Sequence, residues 1–263
     1  MIARSLLFVP GDRPDRFEKA CNAGADAVIL DLEDAVTVGK KAEAREAIAA
    51  WLSPESPVYV RINDPATEWY EDDLEAAVRP GLAGIMVPKA EDPEQLAQLS
   101  SRIGEIRLIP TIETALGVWN ARAVAETPGV ERLAFGSIDL QLDAGITGEG
   151  EELLYARSRT VLASRVAGIL PPLDGVTVAL DDPVQLETDV DRARRLGFGG
   201  KICIHPKQVE PVNRGFSPSK EEIAWAERVI QAAETTTSGA IQIDGELIDR
   251  PVIERAKAVL ERT

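Results

Sequence analysis

The residues of this chain best placed to do chemistry are two acids and one arginine. Arg107-Leu-Ile-Pro-Thr-Ile-Glu-Thr114 and Arg132-Leu-Ala-Phe-Gly-Ser-Ile-Asp-Leu140 are short apolar runs, and each reaches an acid, Glu113 and Asp139. If the runs are neighbouring parallel strands, ~4.8 Å apart, both carboxylates leave the sheet at the same edge. They would repel unless a cation or a shared proton lay between them. A hard divalent ion such as Mg²⁺ suits the pair, because it needs only one or two protein carboxylates besides substrate oxygens and water. Either acid alone reads as readily as a helix N-cap or a solvated loop residue; the two together favour the metal. Arg61, in Val58-Tyr-Val-Arg-Ile62, adds a guanidinium that can grip a carboxylate with two parallel hydrogen bonds. His205 is the only histidine, which excludes a multi-histidine zinc site. In Ile204-His-Pro206 it reads as a hydrogen-bonded structural residue. Lys89 could be the Schiff-base lysine of a metal-free aldolase. No second lysine supports that role, and the paired acids argue against it.

The elements that must position these groups repeat one unit. Strand-like runs are Ser5–Val9, Ala27–Leu32, Val58–Ile62, Gly84–Pro88, Leu108–Ile112, Leu133–Phe135, Gly175–Ala179 and Lys201–His205. Helical spacing marks Asp15–Ala23, Lys40–Leu52, Trp69–Val78, Pro93–Ile103, Ala115–Ala125, Glu149–Gly168 and Pro183–Leu196. Continuous apolar runs such as Val28-Ile-Leu30 imply strands buried on both faces, as in parallel sheets. Eight strands alternating with helices at this length predict a closed (β/α)8 TIM barrel. An open doubly wound sheet is the alternative, but Pro10-Gly-Asp-Arg13 is not the Gly-rich phosphate turn it wants. In a barrel, catalytic groups gather at the C-terminal strand ends. Those ends carry Asp31, Glu33 and Asp34 after the second strand, Arg61 and Asn63 after the third, and Lys89, Glu113 and Asp139 after the next three. Asp181 and Asp182 are expected after the seventh. One or two of the acids after the second strand would hold Arg61 or metal-bound water.

Beyond the barrel, predicted over residues 1–212, the segment 213–263 reads as a helical and hairpin extension. It begins with an irregular connection, Asn213–Pro218. Ser219-x-x-Glu222 is a capping box opening a helix to about Ala233. A linker at Thr235–Gly239, a hairpin around Asp244-Gly245 and a last helix from Pro251 to about Leu260 follow. A surface cap, a lid and a partner-docking arm are all compatible with it.

Charge and cysteine usage narrow the class. Lys+Arg 29 against Asp+Glu 44 gives a net charge of −15, which argues against binding nucleic acid or an anionic membrane surface. The two cysteines, Cys21 and Cys203, read as buried thiols of a reducing compartment. The apolar run near the N-terminus is too short for a signal peptide, and no run approaches the length of a membrane span. A cytoplasmic location is expected.

Seven segments, in order, carry a resemblance. Arg4-Ser-Leu-Leu-Phe-Val-Pro-Gly11, Leu30-Asp-Leu-Glu-Asp34, Val60-Arg-Ile-Asn63, Ile109-Pro-Thr-Ile-Glu-Thr114, Phe135-Gly-Ser-Ile-Asp139, Ile204-His-Pro206 and Asp244-Gly-Glu-Leu-Ile-Asp-Arg-Pro251 resemble the citrate lyase β-subunit family. That family lies within the metal-dependent aldolases and acyl-CoA lyases. The resemblance implies Glu113 and Asp139 as Mg²⁺ ligands and Arg61 as the group that binds substrate and stabilises an enolate. It implies acyl-CoA contacts at Phe8, Arg13 and Lys19. It also implies that Asp249 reaches the active site of an adjacent subunit, so that the protein is a homo-oligomer, a trimer by analogy. Two segments depart from the family pattern, Leu140–Ile146 and Asp174–Asp181, and both flank the expected mouth.

The chemistry follows from the groups themselves. Breaking a C–C bond beside a hydroxyl leaves a carbonyl and a carbanion equivalent, and a thioester makes the latter tolerable as an enolate. A metal would act as Lewis acid and template. Arg61 would offset the developing charge, an effect typically worth ~3–4 kcal/mol. Together with the resemblance, this chemistry implies a Mg²⁺-dependent carbon–carbon lyase acting on a small β-hydroxyacyl-CoA, in either direction. The alternative is a subunit of a citrate lyase complex that acts only on a thioester of an acyl-carrier protein. Asp249 is the candidate for proton transfer.

Overall fold

The computed structural model describes residues 2–55, 57–235, 241–243 and 246–261. Its centre is a closed barrel of parallel strands, β1 (Ser5–Pro10), β2 (Ala27–Asp31), β3 (Val58–Arg61), β4 (Leu82–Val87), β5 (Arg107–Ile112), β6 (Arg132–Phe135), β7 (Leu170–Asp174) and β8 (Gly200–Cys203). Each strand pairs with the next, and β8 pairs back with β1, Leu6 opposite Ile202. Side chains alternate across a strand, so every second residue points inward. The interior is closed by Leu6, Ile29, Met86, Ile109, Ala134, Leu173 and Ile202, with Tyr59 of β3 packed against them. Almost every strand gives one apolar residue to this plug. Truncating such a side chain typically costs about 2–5 kcal/mol, because the closed ring cannot collapse onto the hole.

Helices α1 (Phe17–Cys21), α2 (Lys41–Trp51), α3 (Tyr70–Ala77), α4 (Pro93–Ile103), α5 (Ala115–Ala125), α6 (Ser137–Ala144), α7 (Leu154–Ala167), α8 (Pro183–Leu196) and α9 (Val209–Phe216) fill the connections. Several start where the sequence supplies a cap. Asp92 accepts from the Glu94 amide, Thr114 from Gly117 and Asp182 from Gln185.

Three expectations are corrected. The seventh strand is Leu170-Pro-Pro-Leu-Asp174, not Gly175–Ala179. Two prolines disguise it, since each lacks an N–H for the ladder. The strand survives because its carbonyls are used: Pro171 accepts from Arg132 and Pro172 from the Gly199 amide. The segment after β6 is a helix, α6, so Asp139 lies in a first helical turn and not on a strand tip. The stretch expected to be irregular from Asn213 is, as far as Phe216, the end of α9, the helix that follows β8.

The chain separates into two compact units, one to Asn213 and one from Arg214, a division that falls within α9. In the second unit α10 (Lys220–Thr235) packs on α11 (Arg250–Leu260) around Ala226, Val229, Ile248 and Ala256. The Ser219–Glu222 capping box is formed, with each residue accepting the other's amide. Strands β9 (Ile241–Ile243) and β10 (Glu246–Ile248) pair antiparallel. The expected linker and the turn at Asp244-Gly245 fall largely outside the described residues.

Candidate active site

A cavity of about 450 Å³ opens at the C-terminal ends of the strands. Phe8 of β1, Arg61 of β3, Glu113 after β5 and Asp139 of α6 all line it, with Asp31, Met86, Thr111 and Ile202 among the other residues of its wall.

Arg61 is fixed before any ligand arrives. Its Nε and Nη2 each donate to Asp31 at 2.7 Å, and Nη1 lies 2.9 Å from Glu33 Oε2. The Glu33 contact is an ion contact without hydrogen-bond alignment, so that oxygen has no hydrogen-bonded partner among the described residues. Asp34 is 3.7 Å away. The guanidinium carbon stacks 4.5 Å from the centre of the Phe8 ring. Burial opposes the positive charge, but Asp31, Glu33 and Asp34 together outweigh it and hold Arg61 more firmly protonated than usual. Guanidinium offers five N–H groups. Asp31 uses two and a third faces Glu33, which leaves donors on Nη1 and Nη2 for a ligand.

The acids are in the opposite condition. Burial pushes the Glu113 carboxyl up to about 7; Asp139 and Asp34 add to the rise, while the Lys89 amide and Arg61 oppose it. Asp139 is raised by burial and by Asp34, against the pull of Lys89 and Arg61. Glu33 is pushed up to about 8 by burial, with Glu113, Asp34 and Asp31 adding and Arg61 opposing. Glu113 is aimed by one hydrogen bond, from the Lys89 backbone N at 2.7 Å. Lys89 has φ +45°, the one positive φ outside glycine among the described residues, and the turn that delivers this amide requires it. The space for Glu113 comes from Gly136, where an added Cβ would stand 2.5 Å from the Glu113 Cβ. This close approach accounts for the glycine in Phe135-Gly-Ser-Ile-Asp139.

The donor set suits a small hard cation. Two carboxylates whose charges disfavour one another gain from a divalent ion, and neither sulfur nor imidazole competes for it. Among the described residues no group of three or more His, Cys, Asp or Glu side chains could cage a metal. Glu113 and Asp139 by themselves would supply only part of a coordination shell, leaving positions for water and substrate. That is how Mg²⁺ is commonly held and how a catalytic site stays open.

A buried network behind the mouth went unseen in the sequence. Lys41 of α2 donates to the Leu32 carbonyl at 2.8 Å, to that of Glu33 at 3.1 Å and to Asn63 Oδ1 at 2.6 Å. Asn63 in turn bonds Asp73 at 2.6 Å. The loops after β2 and β3 are thereby tied together, and with them Glu33 and Arg61. On the far side, Asp174 at the end of β7 receives Arg157 and Lys201, each at 3.1 Å.

Other residues singled out in the sequence lie elsewhere. Arg13 pairs with Asp15 and Lys19 is exposed on α1; neither lines the cavity. Asp181 is exposed and 3.5 Å from Lys207, and Asp182 caps α8. The actual end of the seventh strand puts Gly175 and Val176 at the mouth in their place. His205 Nδ1 accepts the Lys207 amide, a structural role. Lys89 Nζ sits 3.7 Å from Asp64; burial lowers its pKa, but Glu33, Asp64, Glu113 and Asp139 raise it further. A Schiff-base lysine needs the reverse. Asp249 caps α11, accepting from the Val252 amide at 3.4 Å.

Comparison with known proteins gives one family. Residues 4–206 match the model of HpcH/HpaI aldolase/citrate lyase. A citrate lyase subunit beta-like protein of Deinococcus radiodurans is 38% identical over 278 residues, covering 98% of this chain and 96% of its own. A (3S)-malyl-CoA thioesterase of Cereibacter sphaeroides is 34% identical over 268 residues, covering 98% and 94%. Among solved structures, protein CitE from Mycobacterium tuberculosis in complex with magnesium, acetoacetate and coenzyme A superposes with a TM-score of 0.89 at 34% identity, over 99% of this chain and 97% of that one. This chain belongs to the HpcH/HpaI aldolase/citrate lyase family.

Proposed function

We propose that this protein is a Mg²⁺-dependent carbon–carbon lyase. It cleaves a small β-hydroxyacyl-CoA to acetyl-CoA or a related acyl-CoA and a 2-oxo acid, or joins them in reverse. One observation carries the reading: Glu113, Asp139 and a pre-fixed Arg61 face one cavity at the strand ends. The magnesium complex of the similar protein CitE, which also contains acetoacetate and coenzyme A, agrees with it.

Glu113 and Asp139 are the proposed Mg²⁺ ligands. When bound, the ion supplies Lewis acidity toward the oxygens of the acid half of the substrate and a template for its carboxylate. Arg61 stays cationic throughout, so it neither gives up a proton nor needs one back. Held by Asp31 and backed by Phe8, it presents its remaining N–H groups to the charge that develops as the thioester half becomes an enolate. Phe8, Met86, Phe135, Val176 and Ile202 give the cavity wall an apolar part beside these charged groups, and lowering the local polarity there strengthens that interaction. Asp249 of an adjacent subunit is the proposed proton-transfer group. Phe8 is the acyl-CoA contact that geometry favours; the acyl-CoA roles of Arg13 and Lys19 need the ligand's long arm to leave the cavity.

The test is product analysis. The protein is incubated with Mg²⁺ and a panel of β-hydroxyacyl-CoA esters. Formation of acetyl-CoA (or its homologue) and a 2-oxo acid in equal amounts supports the lyase. Release of free CoA and an intact hydroxy acid would establish a thioesterase, the activity named for the Cereibacter relative. Turnover only on a carrier-protein thioester would establish a subunit of a larger complex.

A further inference from the structure

Two hydroxyls in the cavity wall have no hydrogen-bond partner among the described residues. Thr111 and Ser137 both line the cavity and are buried, and neither side-chain oxygen meets a hydrogen-bond partner among the described residues. Leaving a buried hydroxyl unmet is costly, and such groups in a native structure call for an explanation. Their positions supply one. Thr111 and Glu113 are two residues apart in an extended segment, so they share a face. Ile109, two residues earlier, belongs to the apolar plug of the barrel. Thr111 is therefore the first polar position above that plug, ~6.6 Å along the chain below Glu113. Its apolar companions in the wall include Phe8, Met86 and Ile202. Ser137 follows Gly136, the residue pressed against the Glu113 side chain. The two hydroxyls thus belong to the two segments that meet at the proposed metal ligand, and all three residues line the same cavity.

A site meant for a hydrocarbon group would be closed as well by valine and alanine at these positions, with nothing left unmet. We infer that Thr111 and Ser137 are specificity-determining residues for the acid half of the substrate. They select a 2-oxo acid whose third carbon carries a hydrogen-bonding group over one carrying only hydrocarbon. The inference rests on the function proposed above. There the keto and carboxylate oxygens of the acid half would be met by the ion, so the unmet hydroxyls call for an oxygen further along the molecule. Discrimination follows from the unpaired state: a methyl in that place leaves the hydroxyls dry and unbonded, while a hydroxyl or carboxylate satisfies them.

The test uses two 2-oxo acids of nearly equal size. 3-Hydroxypyruvate carries a hydroxyl where 2-oxobutyrate carries a methyl. Each is titrated calorimetrically into the full-length protein with saturating Mg²⁺, with pyruvate as their common core. The wild type is expected to bind 3-hydroxypyruvate at least about tenfold more tightly than 2-oxobutyrate, the effect of one satisfied buried hydroxyl. Thr111→Val, which keeps the shape, should erase most of that preference, and Ser137→Ala should reduce it. Thr111→Ser, which keeps the hydroxyl, should retain it. Equal affinity in the wild type, or an unchanged preference in Thr111→Val and Ser137→Ala together, overturns the assignment of the hydroxyls alone. Failure of all three acids to bind in the presence of Mg²⁺ overturns the 2-oxo-acid site itself.

Discussion

Arg61 shows how this site divides labour among single residues. Three carboxylates surround it, yet they do not compete with a ligand for its whole fork. Asp31 takes one edge with two bonds of 2.7 Å and sets the plane against the Phe8 ring. Lysine can match neither the paired bonds nor the stacking. Arg61→Lys is therefore expected to lower kcat by about a hundredfold to a thousandfold, the usual effect of losing one charge-stabilising donor. Its circular dichroism should be unchanged, and retention of wild-type kcat would remove Arg61 from the reaction. Glu113→Gln keeps the side-chain shape and the bond from the Lys89 amide, but removes charge. We expect Mg²⁺ binding, read by calorimetry, to fall by at least about tenfold, in line with the loss of one charged ligand interaction. Undiminished binding would place the ion elsewhere. The sequence pointed to Arg61, Glu113 and Asp139 because charged residues at the ends of apolar runs stand out. It could not point to Lys41, whose significance is that it bonds two loop carbonyls and Asn63, or to the unmet hydroxyls of Thr111 and Ser137. Bond partners three-dimensional in origin leave no local pattern in the chain.

At the scale of elements, the barrel was readable wherever a strand announced itself by an apolar run. β7 escaped because Pro171 and Pro172 break strand propensity, and the adjoining Gly175-Val-Thr-Val-Ala179 imitates it. The shift matters: it moves Asp174 from a loop into a strand end and buries it between Arg157 and Lys201. Burial alone would raise this carboxyl, but Lys201 and Arg157 win and hold it below the usual carboxylate range. A carboxyl depressed by folding stabilises the native state at every pH above its unfolded value of about 4, and that contribution fades as the pH falls through the lower folded value. Asp174→Asn removes the charge and leaves two buried cations facing each other. It should cost about 3–5 kcal/mol at neutral pH, the typical effect of breaking a buried ion pair. The stability gap between wild type and variant, measured by denaturant unfolding, should shrink below about pH 4; a gap independent of pH would show that the charge is not what matters. Gly136 joins β6 to α6 under a comparable constraint. Gly136→Ala must displace Glu113 or the strand end, and overpacking of this kind typically costs about 1–3 kcal/mol. We expect Mg²⁺ affinity to fall along with thermal stability, and a stable variant with unaltered Mg²⁺ binding would contradict the proposed crowding.

At the scale of the molecule, the open question is what completes the cavity. Its wall supplies metal ligands, a fixed cation and apolar cover, but every carboxylate near it is engaged with Arg61 or proposed for the ion. Proton transfer needs another group, and Asp249 in the second compact unit is the proposed one. The outer helices favour a neighbour that could bring it. Exposed large apolar residues gather on α5, α6 and α7, including Trp119, Leu142, Tyr155 and Leu162, and α5 packs on α7. Apolar exposure on this scale commonly marks an interface. Asp249→Asn isolates the chemical role, because asparagine caps a helix as well as aspartate does and α11 should keep its N-terminus. The variant should fold, bind Mg²⁺ and lose turnover. Mixing then separates a neighbour's contribution from the chain's own. In oligomers reassembled from equal amounts of Asp249→Asn and Glu113→Gln chains, a site is intact only when it pairs the first chain's barrel with the second chain's Asp249. Random assembly in a closed ring makes that about one site in four, so about a quarter of wild-type activity should return from two inactive parents. A site served by its own Asp249 would recover nothing on mixing, and full activity in Asp249→Asn alone would dismiss the residue altogether.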